Sequence, residues 1–273
     1  MSLVVNTNVS SIAAQRNLAR SGDALAVSFQ RLSSGLRINQ AKDDAAGLAI
    51  ADGLRADVRL ATQAIRNAND GISAIAIGEQ ALGKVGDILT RLSELAQQSG
   101  TGLVSNTQRS ALQQEFTQLV SEIDRISSTT SFNGVNLLSS GTTVDLQVGI
   151  DGTANSRISF STVDGSSSGI GLSGASVATA AGAQSAIDTV STAIDNLAAS
   201  RGSLGAVQSR LETAIGNLRI ARENFASAES RIRDVDVASE TANLTRASIL
   251  QQAGVSVLAQ ANQQPQLALS LLR

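Results

Sequence analysis

A chain of 273 residues with a formal charge of -2, from 21 Lys and Arg against 23 Asp and Glu, has room for one or two domains. It carries no Cys, His, Trp or Tyr, which excludes disulfides, thiol chemistry, zinc ligation by Cys or His, and histidine general bases. Its scattered arginines form no basic face for nucleic acid, and no run of roughly 18 apolar residues exists to enter a membrane.

The N-terminus, "MSLVVNTNVSSIAAQR", lacks the basic and continuous apolar regions of a Sec signal, so an exported chain with this start would need another exporter. From Val5 an amphipathic stripe continues through Val9, Ile12, Leu18, Leu25, Phe29, Leu32 and Leu36. A polar segment, "RLSSGLRINQAKDD", then breaks it. Leu54, Val58, Ala61, Ile65, Ala68, Ile72 and Ile75 follow in alternating steps of four and three, a seam for a partner helix over about 45–99. At ~1.5 Å per residue such a helix reaches ~80 Å, too long for a compact ball. Leu112, Phe116, Leu119, Ile123 and Ile126 predict a second helix over about 105–129.

The centre changes period. Val144, Leu146, Val148 and Ile150 alternate with polar residues, Asp151-Gly152 signals a turn, and Ile158 and Phe160 resume the alternation. This reads as a β-hairpin near 142–163, followed by a Gly/Ser-rich loop to about Gly182. Ile187, Val190, Ile194, Leu197, Leu204, Leu211, Ile215, Leu218, Phe225 and Ile232 then form a third seam. The C-terminal stripe uses Leu244, Ala247, Leu250, Val257, Leu258 and Leu267 to Leu272. The fold class is mainly α: an elongated rod of long antiparallel coiled-coil helices with a small β-hairpin region, plus paired terminal helices.

The two ends pose the main physical problem. Paired with each other they still leave apolar flanks exposed, and patches that large signal a partner. The ends are expected to find each other and then other copies of the same chain.

The candidate chemical sites are weak. "SSG" at 33–35 before Arg37 lacks the Lys-Ser/Thr of a phosphate loop. Asp43 and Asp44 have no further oxygen ligands at calcium-loop spacing and fit the positive start of a helix better. Asp234, Asp236 and Glu240 of "RDVDVASE" read as a short extended link, matching the break at 33–45. "NVS" (8–10) and "NLT" (243–245) fit the N-glycosylation pattern inside predicted helices, and nothing in Ser159 to Ser176 demands O-linked sugar. No catalytic residue, metal site or cofactor is predicted.

Taken in order, "VNTNVSSIAAQRNL", "RLSSGLRINQAKDDAAGLAIAD", "QAIRNANDGIS", "ISSTTSFNGVNLL" and "RIRDVDVASETANLTRASILQQAGVSVLAQANQQPQLALSLLR" resemble bacterial flagellin over roughly 1–140 and 180–273. The resemblance implies a helical homopolymer, the extracellular flagellar filament used for motility, with no enzymatic activity. It implies an inner D0 layer of residues 1–33 and 237–273, a D1 layer of 44–180 and 181–230, and spokes at 34–43 and 231–236. Large outer domains are missing. Self-assembly would fall to Val5, Val9, Ile12, Leu18, Leu25, Phe29, Leu32, Leu36, Leu244, Leu250, Val257, Leu258, Leu267 and Leu271. Ser33, Ser34, Gly35, Arg37, Asn39, Lys42 and Asp43 would serve the spoke and contacts between subunits.

The same resemblance implies export through the flagellar type III apparatus, an export chaperone on the C-terminal helix, and filament cap and hook-junction proteins as partners. It also suggests contact with a host Toll-like receptor through Leu89, Arg91 and Glu115, although Thr90 and Ser93 stand where strongly agonistic relatives carry Gln and Arg. The same Arg91 and Glu115 would serve equally as an inter-helix contact. The main rival is a hook–filament junction protein with flagellin-like ends. A surface enzyme would need clustered carboxylates in a pocket, and a generic adhesin would not explain two matched ends.

Overall fold

Five helices and two strand pairs make up the described residues of the computed structural model, which are 7–139 and 141–270, with side chains through 264. The helices are α1 (Val9–Ser34), α2 (Ala45–Gly100), α3 (Asn106–Thr129), α4 (Ala180–Arg233) and α5 (Val237–Ser270). The antiparallel pairs are β1 (Ser131–Phe132) with β2 (Val135–Asn136), and β3 (Thr143–Gln147) with β4 (Arg157–Ser161). The chain packs as two units, one of residues 1–56 and 224–273 and the other of 57–223. These boundaries fall inside α2 and α4, not at the polar breaks.

The 57–223 unit has a continuous apolar core. Ala61, Ile65, Ala68 and Ile75, then Leu82, Leu89, Leu92 and Leu95, put the buried face of α2 against Phe116 and Ile123 of α3. Val190, Leu197, Leu204, Leu211 and Ile215 of α4 complete it. Helices α2 and α4 run antiparallel: Gly78 sits against Leu204, Gly86 against Leu197 and Gly100 against Ala183, so partner numbers fall as α2 advances. A methyl built on Gly86 would lie 3.3 Å from Leu197 Cδ2, so glycine sets how closely the two helices approach. Ile194, predicted on this seam, is partly exposed, and its neighbour Ala193 faces the core instead.

Helix α3 starts on a capping box, in which the Gln108 amide donates to Ser105 Oγ at 3.3 Å and the Ser105 amide donates to Gln108 Oε1 at 2.8 Å. Beneath the preceding turn lies the buried Arg109. Its guanidinium donates to the carbonyls of Ser99 and Thr101, both at 2.8 Å, and so satisfies groups left open where α2 ends.

Two central features differ from expectation. Asn133 (φ 50°) and Gly134 (φ 81°) form a two-residue turn with positive φ at both positions, closing the β1–β2 hairpin that alternation did not predict. The β3–β4 pair lies within the predicted range, yet Asp151-Gly152 is not a tight turn. Residues 148–156 form a longer loop with a 3-10 turn over Ala154–Ser156, and Ile150 lies outside the strand. Asp151 Oδ1 accepts from the Thr153 amide at 3.3 Å, the Thr153 hydroxyl at 2.8 Å and the Ser156 hydroxyl. Those hydroxyl and amide donors, Ser156 first, hold its carboxyl below the usual carboxylate range.

The Gly/Ser-rich stretch that follows is a docked strap. Ile170, Leu172 and Val177 are buried. Asp124 accepts from the Ser167 amide at 2.8 Å and hydroxyl at 3.0 Å, Gln113 Oε1 accepts from the Val177 amide at 2.6 Å, and Ser99 donates to the Val177 carbonyl at 2.5 Å.

Candidate functional site

The opening break joins the closing one. Helix α1 ends at Gly35, whose left-handed conformation (φ 72°) is the usual glycine C-cap. Leu36 then pairs antiparallel with Asp234. The Arg37 amide donates to the Arg233 carbonyl at 2.6 Å and the Val235 amide donates to the Gly35 carbonyl at 3.0 Å, while the Arg37 guanidinium donates to the Ile232 carbonyl. Two chain breaks become one two-stranded joint over the fully buried Ile38. The second break is shorter than expected: α4 runs to Arg233, and Val237 already begins α5.

The acids of both segments are structural. Asp43 Oδ2 accepts from the amides of Gln40 at 3.0 Å and Asn39 at 3.1 Å, which hold its carboxyl below the usual range, Gln40 most strongly. Asp44 accepts from the Gly47 amide at 2.8 Å and caps α2. Asp236 accepts from the amides of Ala238 at 3.0 Å and Ser239 at 3.2 Å and caps α5 in the same way. Asn39 donates to Ser34 Oγ at 2.7 Å, while Ser33, Arg37 and Lys42 are exposed.

Helices α1 and α5 pair antiparallel. Asn8 donates to the Ala261 carbonyl at 2.8 Å and Ser11 Oγ to Asn262 Oδ1 at 2.7 Å at one end; Arg31 lies 3.7 Å from Glu240 at the other. The seam is floored by small side chains: Ser11, Ala14, Ser28, Ala247 and Ala261 are buried, and Gly254 lies against Leu18.

The large apolar residues divide between this seam and the outer surface. Val9 is 66% exposed, Phe29 69% and Leu250 53%; Ile12 and Val257 are also exposed, as are Val237, Ile249 and Val255, which the stripe did not include. Leu18, Leu25, Leu32, Leu36, Leu244 and Leu258 are half-buried. Val5 and Leu271 lie outside the described residues, as does the side chain of Leu267. The stripe predicted for the ends is therefore split: its described leucines other than Leu250 are half-buried beside the seam or the joint, while Val9, Ile12, Phe29, Leu250 and Val257 form an outer apolar surface. Of the seam's small residues the sequence stripe held Ala247 alone; Ser11, Ala14 and Ser28 recur at helical spacing with Leu18, Leu25 and Leu32, and Ala261 with Leu258. An open groove of about 550 Å³ runs along this pair between Arg20, Asp23, Val27 and Arg31 on α1 and Asn243, Arg246 and Leu250 on α5.

In the 57–223 unit, Leu89 is fully buried and its side chain offers no contact surface. Arg91 is exposed and bridges α2 to α3, 2.8 Å from Glu115, with Glu94 at 2.9 Å on its own helix. These carboxylates, Glu115 first, raise the guanidinium above its ordinary value. Among the described residues no group of three or more acids is arranged to hold a metal, and no helix is long and apolar enough to cross a membrane.

Residues 5–143 match the bacterial flagellin N-terminal helical region and 187–272 the C-terminal helical region. The chain is 45% identical over 272 residues to a flagellin of Halalkalibacterium halodurans, covering 99% of this chain and 100% of the relative. It is 39% identical over 284 residues to the flagellar filament 30.7 kDa core protein of Treponema maltophilum, with coverage of 99% and 100%. The crystal structure of Bacillus cereus flagellin aligns at a TM-score of 0.50 and 27% identity, over 56% of this chain and 88% of that one. A putative flagellar hook-associated protein of Vibrio parahaemolyticus shares the fold at a TM-score of 0.59 and 11% identity, over 70% and 100%. With both terminal regions matched and relatives aligned along almost its whole length, this chain belongs to the bacterial flagellin family.

Proposed function

We infer that the chain is a structural subunit that polymerises into the helical filament of the bacterial flagellum, outside the cell. One observation carries the reading: after α1 and α5 close on each other through small residues and half-buried leucines, eight large apolar side chains among the described residues of the pair remain exposed. Complete burial of one large apolar side chain stabilises by about 1.5–3 kcal/mol. Val9, Ile12, Phe29, Val237, Ile249, Leu250, Val255 and Val257 are 52–69% exposed, so covering what remains of them would give roughly 7–14 kcal/mol. Association costs ~4–15 kcal/mol, so one neighbour covering part of this surface gains little and several neighbours are needed. A non-closing contact repeated through identical copies produces a helical fibre.

On this reading, residues 1–33 and 237–273 form the inner D0 layer and 44–180 with 181–230 form D1. The segments 34–43 and 231–236 join them, with Ser33, Ser34, Gly35, Arg37, Asn39, Lys42 and Asp43 available to neighbouring subunits. A cap and a hook-junction protein would meet the polymer at its ends, and an export chaperone would cover the C-terminal helix before type III export. Arg91 and Glu115 are the surface groups through which a Toll-like receptor would contact D1, with Leu89 acting only by holding α2 in place.

Removal of 240–273 tests the central claim. The shortened chain is expected to stay helical and soluble and to form no filament; normal filaments would overturn the reading. Whole-length likeness to flagellins favours the filament subunit over a junction protein, and counting copies per filament by mass distinguishes the two.

A further inference from the structure

We propose that Asn133 is a site of spontaneous, backbone-assisted deamidation, and the asparagine of this chain that converts first. Asn133-Gly134 is the only Asn-Gly step in the sequence, and it forms the tip of the β1–β2 hairpin. Asn133 is exposed, and among the described residues its side-chain amide makes no hydrogen bond. Nor does the Gly134 amide donate to any carbonyl among them, and no side chain on Gly134 shields that nitrogen.

Three other asparagines show the contrast. Asn136, on the adjoining strand, donates to the carbonyls of Ser127 at 3.1 Å and Ser128 at 3.0 Å and accepts from the Leu138 amide at 2.8 Å, and leucine follows it. Asn8 and Asn67 are likewise held, by the carbonyls of Ala261 and Gln147. Asn155, exposed and followed by Ser156, is the nearest competitor.

The chemistry balances without an outside reagent other than water. The Gly134 nitrogen attacks Asn133 Cγ and a C–N bond forms. The side-chain amide nitrogen leaves as ammonia, carrying the proton that Gly134 loses. Water then opens the five-membered imide at either carbonyl, giving aspartate or isoaspartate; nothing is oxidised or reduced. Both products add one negative charge. Aspartate keeps the main chain and tolerates the left-handed conformation. Isoaspartate routes the main chain through one more carbon, and strands of two residues each cannot absorb it while keeping Phe132 opposite Val135.

The hairpin holds more than itself. The Leu137 amide donates to the Thr130 carbonyl at 3.0 Å. The carbonyl of buried Leu138 accepts from Ser127 Oγ at 2.7 Å and from the Gly165 amide at 3.1 Å. Isoaspartate at 133 therefore loosens the fastening between the end of α3 and the strap, and an extracellular polymer would collect such copies with age.

The test incubates the full-length chain in mildly alkaline heavy-oxygen water and maps its peptides by mass spectrometry, with a free peptide of residues 127–140 alongside. Expected is earliest conversion at Asn133, ahead of Asn155, with one heavy oxygen per converted copy and Asn136 unchanged. Copies carrying isoaspartate should lose hydrogen-exchange protection at the Leu137 amide. Two results overturn the proposal: another asparagine converting first, or an Asn133 amide that persists in the folded chain after the free peptide has fully converted.

Discussion

The Val235 amide donates to the Gly35 carbonyl at 3.0 Å, so the first and last breaks of the helical pattern are stitched into one joint. That bond requires α1 to stop and turn at Gly35, whose φ of 72° costs a side-chain-bearing residue about 1–2 kcal/mol. Gly35→Val is expected to lower the stability of the 1–56/224–273 unit by that amount and to expose the Val235 amide to exchange. Unchanged exchange at Val235 would show that the joint does not depend on the glycine.

Leu250→Asp separates assembly from folding. Leu250 is exposed on the α1–α5 pair, so a carboxylate there meets water in the monomer and an apolar neighbour in the polymer. Far-UV circular dichroism should match the parent while filament yield on seeding falls to background. Ala247→Phe is the converse case. Ala247 is buried in the seam, where overpacking costs about 1–3 kcal/mol, so α5 should loosen from α1 before any polymer forms.

The joint is also expected to respond to acid. The amides of Gln40 and Asn39 hold the Asp43 carboxyl below its ordinary value. Its contribution is therefore fully present above the unfolded carboxylate pKa of about 3.9 and is lost as pH falls below that value through the folded one. Amide exchange at Asn39 and Gln40 should accelerate across that window in the parent, whereas Asp43→Asn should show no such transition. An identical acid profile in the variant would assign the effect to another group.

Gly71 tests how the β3–β4 hairpin sits on α2. A methyl built there would run into Leu146 Cδ1. Helix propensity favours Gly→Ala by ~1 kcal/mol, but overpacking costs about 1–3 kcal/mol. The net expectation for Gly71→Ala is a loss of up to ~2 kcal/mol, relieved when Leu146→Ala is added. A double-mutant cycle with no coupling would mean that the hairpin shifts freely.

Several elements were legible because their causes are local. The steps from Leu54 to Ile75 set the face of α2, and Asp44 marks where that helix begins. The strap was not legible: its Ser/Gly composition reads as loose chain, and the groups that dock it, Asp124, Gln113 and Ser99, come from distant helices. The β1–β2 hairpin carried its Asn-Gly signal, but two-residue strands have no alternation to accompany it. At the ends, periodicity placed Leu18, Leu25, Leu32 and Ala247 on stripes that meet at the α1–α5 seam. It could not say that Val9 and Phe29 would stay outside that seam while Ser11, Ala14 and Ser28 entered it.

That seam has a mechanical consequence. Methyl groups and hydroxyls bring the α1 and α5 backbones close, and Leu18 seats in the gap that Gly254 leaves, a knob partway along the contact. Axial position then rests on that knob and on stops at the two ends, Ser11 with Asn262 and Arg31 with Glu240. Sliding one helix along the other has to break all three at once, so the pair transmits an axial load as a single strut.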